Sequence, residues 1–520
     1  MRKVREALSS RRASTAPSAA GKPDEFEGGL RQGPSSFAAL TGGHDVRHIA
    51  SQGASMPRHA ALAQRAATQL EACTVRASDG RVFTKAAPKL YPHQWSWDAA
   101  FIAMGIARLD AVRAAHELES VMSGQWKNGK VPHITYNPDV PEGAYFPDAA
   151  RWDCKAVAPG NARADAPDTS GIMQPPVHAI AALETWKAAQ TQGPAAIAEV
   201  KRALTTLYPK LIAWHRYLLN ERDPERSGLV TLFHPWESGT DNSPRWDEAL
   251  NRITVDSALL PTYERADLKH ADASERPTQS DYDRYLWLVE LYKSAGYDDA
   301  KVYGEPMIDG KPYPFLIKDV FLSALLVEAN EALAQLSDVV GGAPEDKRQL
   351  ESWAARGRAG LETRWDDEFS GTTDFDVRAG NSVRVRTVAN FAPLIAGKLG
   401  ADRLSKQLEL FSSRYFCGNE ALVRKLPPST SPLDAAYQPK KYWRGPNWPI
   451  VNWIFARALE SSGATNERRA LVSESLAALD AHGLYEYAHP ETGEPLGSRE
   501  QSWTSAFVLA TVDERALPQR

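Results

Sequence analysis

A chain of 520 residues with 43% hydrophobic and 24% charged residues has the make-up of a folded protein with a sizeable core. Lys and Arg number 61 against 65 Asp and Glu, a net charge of −4, too balanced to favour nucleic acid or a membrane surface as partner. Cys73, Cys154 and Cys417 are odd in number, far apart and without a CxxC spacing, which argues against a disulfide framework or a metal site and for a reducing, cytoplasmic compartment.

Residues 1–55 are rich in Ser, Ala, Gly, Pro and Arg without apolar periodicity, and a disordered tail is expected there. Their basic start has no apolar stretch, so a secretory signal is not expected; a transit-type peptide is the lesser alternative. From residue 56 the apolar spacing turns helical and stays so. Helices are predicted at 56–76, 97–109, 111–123, 176–190, 196–220, 281–295, 317–339, 346–364, 387–399, 401–413, 447–461, 466–481 and 502–511. Pro, Gly, Asn and Asp separate them. Only 228–233 and 375–385 read as extended, as small hairpins do. No run approaches the roughly eighteen apolar residues of a membrane-spanning helix.

About a dozen helices with long Trp-, Gly- and Pro-rich connectors on alternate links predict an all-α fold. The expected form is an (α/α)6 barrel over 56–520, with aromatic-rich loops building the site at one end. A helical-repeat solenoid fits less well, because no repeat signature is present and the loops 125–175 and 221–280 are long.

The chain carries 15 Trp and 17 Tyr, many beside Asp, Gln, Asn or Gly instead of in apolar runs. They gather in five clusters: Tyr91–Asp98, Met173–Pro176, Trp236–Trp246, Tyr442–Pro449, and Leu484–Tyr487 followed by Gln501–Trp503. Four of the five abut a predicted helix start. Flat rings that flank an acid in a loop suit a pyranose, whose apolar face they cover while the acid works on its oxygens. Aromatic burial also raises a carboxyl pKa, as a general acid needs at neutral pH.

Cleaving a glycosidic bond takes two carboxyl groups; in an inverting enzyme they lie roughly 6.5–9.5 Å apart. Asp241 and Glu486 are the acids best embedded in aromatic loops, with Glu237 and Glu500 in reserve. Asp98 reads equally as a helix-start acid and as a contact to sugar hydroxyls.

The motifs QWSWDAAF, QPPVHA, WESGTDNSPRW, YWRGPNWP, YEYAHPETGEPLG and QSWTSA, in this order, resemble glycoside hydrolase family 63, in particular its mannosylglycerate and glucosylglycerate hydrolase type. The resemblance covers about residues 60–515. It implies Asp241 as general acid and Glu486 as general base of an inverting α-glycosidase. It implies Tyr91, Trp95, Asp98, Gln174, Trp443, Gly445, Trp448 and Gln501 as sugar- and water-holding positions, with Arg276 and Tyr282 gripping a glycerate carboxylate. The stretch 494–500 departs from the family's small, glycine-rich pattern, and its Glu500 competes with Glu486 for the role of base. The expected partner is a small glycoside substrate, without cofactor or metal; a homo-oligomer is compatible with the sequence.

The alternatives are a trehalase-like or oligosaccharide-trimming α-glucosidase, an α/α-barrel lyase, epimerase or terpene cyclase, and a non-catalytic sugar binder. The cyclase lacks an Asp-x-Asp-Asp motif. The binder does not need both acids. The sequence does not choose between glucose and mannose.

Overall fold

A computed structural model describes residues 58–518 except 266, 267 and 269–271, and the tail expected over 1–55 lies outside the described residues. Each predicted helical segment has a counterpart. They are α1 (Ala60–Ala72), α2 (Ser96–Ala107), α3 (Ala111–Met122), α4 (His178–Ala189), α5 (Pro194–Asn220), α6 (Gln279–Ser294) and α7 (Val320–Val340). After these come α8 (Pro344–Glu362), α9 (Ala392–Ala396), α10 (Ala401–Ser412), α11 (Pro449–Ser461), α12 (Thr465–His482) and α13 (Ser502–Thr511).

Six of them form a closed circuit of contacts: α2 packs on α4, α4 on α7, α7 on α9, α9 on α11, α11 on α13, and α13 again on α2. Around the circuit, α1 packs on α13, α3 on α2, α5 on α4 and α7, α8 on α7, and α12 on α11. Composition follows this arrangement. All of α2 is buried, as suits a helix with no polar face, whereas α12 buries only Leu471, Ser475, Leu476, Ala478 and Leu479.

Helix α7 is long and apolar enough to cross a membrane, contrary to the expectation that no run approaches that composition. It is instead covered by its neighbours: Phe321, Leu322, Leu325, Leu326 and Leu333 are buried in the core, which accounts for its apolar make-up. Helix α9 is much shorter than the predicted 387–399. Residues Val388–Phe391 form a 3-10 turn capped by Thr387 and Asn390, and Gly397, with φ +69°, ends the α-helix. Helices α2 and α13 approach closely because Gly105 faces Ala506; a Cβ at Gly105 would lie 2.8 Å from the Ala506 carbonyl oxygen. That contact brings Trp97 and Trp503, near the two helix starts, to 5.5 Å between ring centroids.

The two extended segments do form strands, and they share a sheet. Strands β1 (Thr231–Leu232), β2 (Ile317–Lys318), β3 (Asp374–Asp376) and β4 (Asn381–Val383) run antiparallel in the order β4-β3-β2-β1. The sheet supplies Asp374, and the residue after β2 is Asp319. Both carboxylates anchor the loop that carries Asp241.

Candidate active site

Four helices of the circuit begin at one cavity. Trp95, Trp97 and Asp98 stand at the start of α2, Gln174 shortly before α4, Tyr442 and Trp443 before α11, and Gln501 and Trp503 at the start of α13. Trp236, Gly239 and Asp241 from the 236–246 loop and Glu486 from the segment before α13 complete the lining, together with Tyr91.

The 236–246 loop is held from behind. Buried Arg245 pairs through Nη1 with Asp319 at 3.1 Å and Asp374 at 2.9 Å, and its Nη2 donates to Thr240 Oγ1 at 2.9 Å. Trp246 Nε1 donates to the Thr240 carbonyl at 3.1 Å. Both bonds fix the residue next to Asp241. Gly239 has φ +71°, and a Cβ there would lie 2.7 Å from the Trp97 ring, so the chain turns flat against that indole. Among the described residues no other side chain hydrogen-bonds the Asp241 carboxyl. Burial pushes its pKa up to about 7; Arg276 pulls it down and Glu486 pushes it further up.

Glu486 is buried and oriented at both oxygens. Tyr91 Oη donates to Oε1 at 2.8 Å, and the Ser498 N–H donates to Oε2 at 2.9 Å. Burial raises its pKa, while Arg276, Ser498 and Tyr91 oppose that shift by favouring the anion. Asp98 is raised well above the usual carboxylate range, first by burial and then by the charge of Glu486. The cavity therefore holds three carboxyls, all raised by burial, in different surroundings: Asp98 is pushed further up by the Glu486 charge, Asp241 titrates near 7, and Glu486 alone has hydrogen-bond donors that favour its anion.

Arg276 also lines the cavity. Its Nη2 stands 3.9 Å from Glu486 Oε2 and its guanidinium lies 4.5 Å over the Tyr442 ring. Its Nε and Nη2 are buried without a hydrogen-bond partner among the described residues. The neighbours that could have neutralised it are engaged elsewhere. Glu275 accepts from Tyr487, and Asp281 caps α6 through Thr278. Tyr282 lines the same wall beneath Arg265, whose guanidinium is 4.7 Å from its ring. Gln174 accepts from the Trp97 N–H at 3.3 Å, and the Gln501 Oε1 is buried without a partner among the described residues.

Two expected sugar-holding positions do not line the cavity. Trp448 lies one layer behind, stacked at 3.7 Å between centroids on Trp443, which does face it, and at 4.5 Å on Tyr487. Gly445 serves close packing: a Cβ there would lie 2.5 Å from the Gln438 carbonyl oxygen. The reserve acids are also elsewhere. Glu500 is exposed. Glu237 is fully buried, bound by Arg222 Nη2 at 2.8 Å and Nη1 at 2.9 Å and by the Phe233 N–H at 2.7 Å. It thus ties the loop to its support. Glu237→Ala leaves the Arg222 charge half-compensated by Asp299, and should cost about 3–5 kcal/mol of stability, read as a lowered denaturation midpoint. A change under about 1 kcal/mol, the scale of an exposed pair, would contradict that role.

Some lining residues carried no usable signal in the sequence. Tyr145 and Phe146 come from the long 125–175 loop outside any motif, and Tyr442 opens the motif YWRGPNWP, in which the resemblance implies roles only for Trp443, Gly445 and Trp448. Glu275, next to Arg276 in the chain, lies outside the motifs as well.

A protein-family profile described as the mannosylglycerate hydrolase MGH1-like glycoside hydrolase domain matches residues 91–504. A glucosylglycerate hydrolase from Mycolicibacterium hassiacum is 42% identical over 449 residues, covering 86% of this chain and 97% of its own. A mannosylglycerate hydrolase from Thermus thermophilus is 39% identical over 428 residues, covering 82% and 96%. The crystal structure of a family 63 mannosylglycerate hydrolase from another strain of Thermus thermophilus, in complex with Tris and D-glycerate, superposes with a TM-score of 0.75 at 36% identity. The match covers 86% of this chain and 99% of that one.

Proposed function

The chain belongs to the mannosylglycerate hydrolase MGH1-like glycoside hydrolases of family 63, and on that premise we propose that it hydrolyses glucosylglycerate or mannosylglycerate to the free sugar and glycerate with inversion. We further infer that the helical circuit is an (α/α)6 barrel forming one catalytic domain over 56–520. The closed succession of six helices, with others packed on them, supports that inference.

In this reading Asp241, held near neutrality in its pKa, donates a proton to the glycosidic oxygen. Glu486, oriented by Tyr91 and Ser498, takes a proton from the water that attacks the anomeric carbon from the other face. Trp95, Trp236 and Trp443 offer their rings to the sugar. The observation that carries the choice of substrate is Arg276. A buried cation with Nε and Nη2 both unbonded among the described residues presents the edge that takes a carboxylate through two parallel N–H bonds, and glycerate brings one. A trehalase-like substrate has no use for it.

Because Asp241 acts protonated, the rate should fall as pH rises through about 7, and Asp241→Asn should abolish that limb. A pH profile of kcat flat from about 6 to about 9 would be inconsistent with this acid. The substrate is tested by kcat/KM on glucosylglycerate, mannosylglycerate, trehalose and kojibiose. Glycerate glycosides should lead by at least about 100-fold, the scale of an unmatched buried charge; a preference for trehalose or kojibiose would overturn the reading.

A further inference from the structure

We propose that Glu275 is a positioning residue for Glu486: its carboxylate clamps the Gly497–Ser498 turn against the base. The proposal rests on the reading of Glu486 given above. That turn and Glu486 are bonded in both directions, Ser498 N–H to Glu486 Oε2 at 2.9 Å and Glu486 N–H to the Ser498 carbonyl at 2.8 Å. The turn therefore sets where the carboxylate points. It also presses on it: Gly497 has φ +66°, and a Cβ there would lie 2.5 Å from Glu486 Oε2.

Beyond these bonds and the pairing of Tyr487–Ala488 with Pro495–Leu496, one side-chain atom reaches the turn from another part of the chain. Glu275 Oε2 accepts from the Gly497 N–H at 3.0 Å and from Tyr487 Oη at 3.1 Å. It thus ties the residue after the base and the turn in front of it to one point. Two converging donors require an acceptor oxygen with two lone pairs, which the buried Glu275 carboxylate supplies. Glu275 ends a short 3-10 turn, Ala273–Glu275, whose next residue is Arg276. One dipeptide supplies both the clamp on the base and the cation that faces it.

The charged and titratable groups around Glu486 are Tyr91, Asp98, Asp241, Glu275, Arg276, Tyr442 and Tyr487. Burial raises Glu486 most, Arg276 lowers it, and the Glu275 charge adds to the rise. Glu275 therefore acts on the base through both geometry and charge, and the two are separable. Glu275→Gln keeps an acceptor oxygen for both donors and removes the charge. Glu275→Ala removes both.

The test is kcat, KM and the pH profile of both variants on glucosylglycerate, with Glu486→Gln in parallel. Glu275→Ala should lower kcat by about 10- to 100-fold with KM little changed, the cost of a misplaced catalytic group. Glu275→Gln should restore most of kcat and move the acid limb to lower pH, because losing a nearby negative charge makes Glu486 easier to deprotonate. A purely structural glutamate would lower the melting temperature in both variants and leave the acid limb in place, and that result overturns the proposal. Wild-type kinetics in both variants, with Glu486→Gln inactive, would also overturn it while sparing the assignment of the base. An active Glu486→Gln that keeps the acid limb would remove the premise itself.

Discussion

Replacing Asp241 by Asn or Glu486 by Gln should each lower kcat by about 10²–10⁴-fold, the contribution of a positioned acid or base. The fold should survive both changes. The Asp241 carboxyl is hydrogen-bonded by no other side chain among the described residues, so the amide meets no partner that requires a charge. At position 486 a Gln keeps one oxygen for the Ser498 N–H, and its NH₂ can donate to Tyr91 Oη. Circular dichroism and a melting curve check the fold, and single-turnover kinetics check the chemistry. Glu500→Gln, a change at an exposed side chain, should stay near wild type. An inactive Glu500→Gln beside an active Glu486→Gln would reassign the base.

Arg276→Ala should reduce kcat/KM for glycerate glycosides by about 10²–10³-fold, the cost of removing one partner of a buried charge pair. The loss has two components that different substrates separate. Arg276 stands 3.9 Å from Glu486 Oε2 and favours its anion, so its removal should move the acid limb upward for every substrate. The larger component, expressed mainly in KM, should appear only when the substrate carries a carboxylate. A neutral α-glucosyl fluoride therefore should lose far less. Arg276→Lys should recover part of the electrostatic component but not the affinity, because an ammonium cannot reproduce the two parallel bonds. Equal losses on charged and neutral substrates would make Arg276 a structural residue.

Much of this arrangement is legible in the sequence because helices built from buried faces leave a 3.6-residue apolar rhythm, and α1–α8 follow it closely. The exception is α9, where apolar spacing continues through Phe391, Pro393 and Gly397 although the backbone takes a 3-10 turn and then stops. Local chemistry overrides periodicity there. The site is legible to the depth of its motifs. Aromatic residues beside polar ones mark Tyr91, Trp95, Gln174, Asp241, Trp443 and Glu486, all of which line the cavity.

Motif membership does not distinguish a wall from its backing. Trp443 and Trp448 share one motif, yet the first faces the cavity and the second is stacked behind it. Glu237 and Asp241 share a loop, and only the fold reveals that Arg222 claims the first. Long-range partners are the least legible. Tyr145 and Phe146 reach the cavity from a loop without pattern, and the Glu275 clamp joins residues more than 200 positions apart.

Asp241 and Glu486 should hydrolyse a glycerate glycoside with inversion at the anomeric carbon. Proton NMR of the first minutes of glucosylglycerate hydrolysis, before mutarotation, tests it most directly. Glycerate and β-glucose should appear first from the α-linked substrate, and at least about 100-fold more slowly with Glu486→Gln. Appearance of α-glucose first, which signals retention through a covalent intermediate, would contradict it.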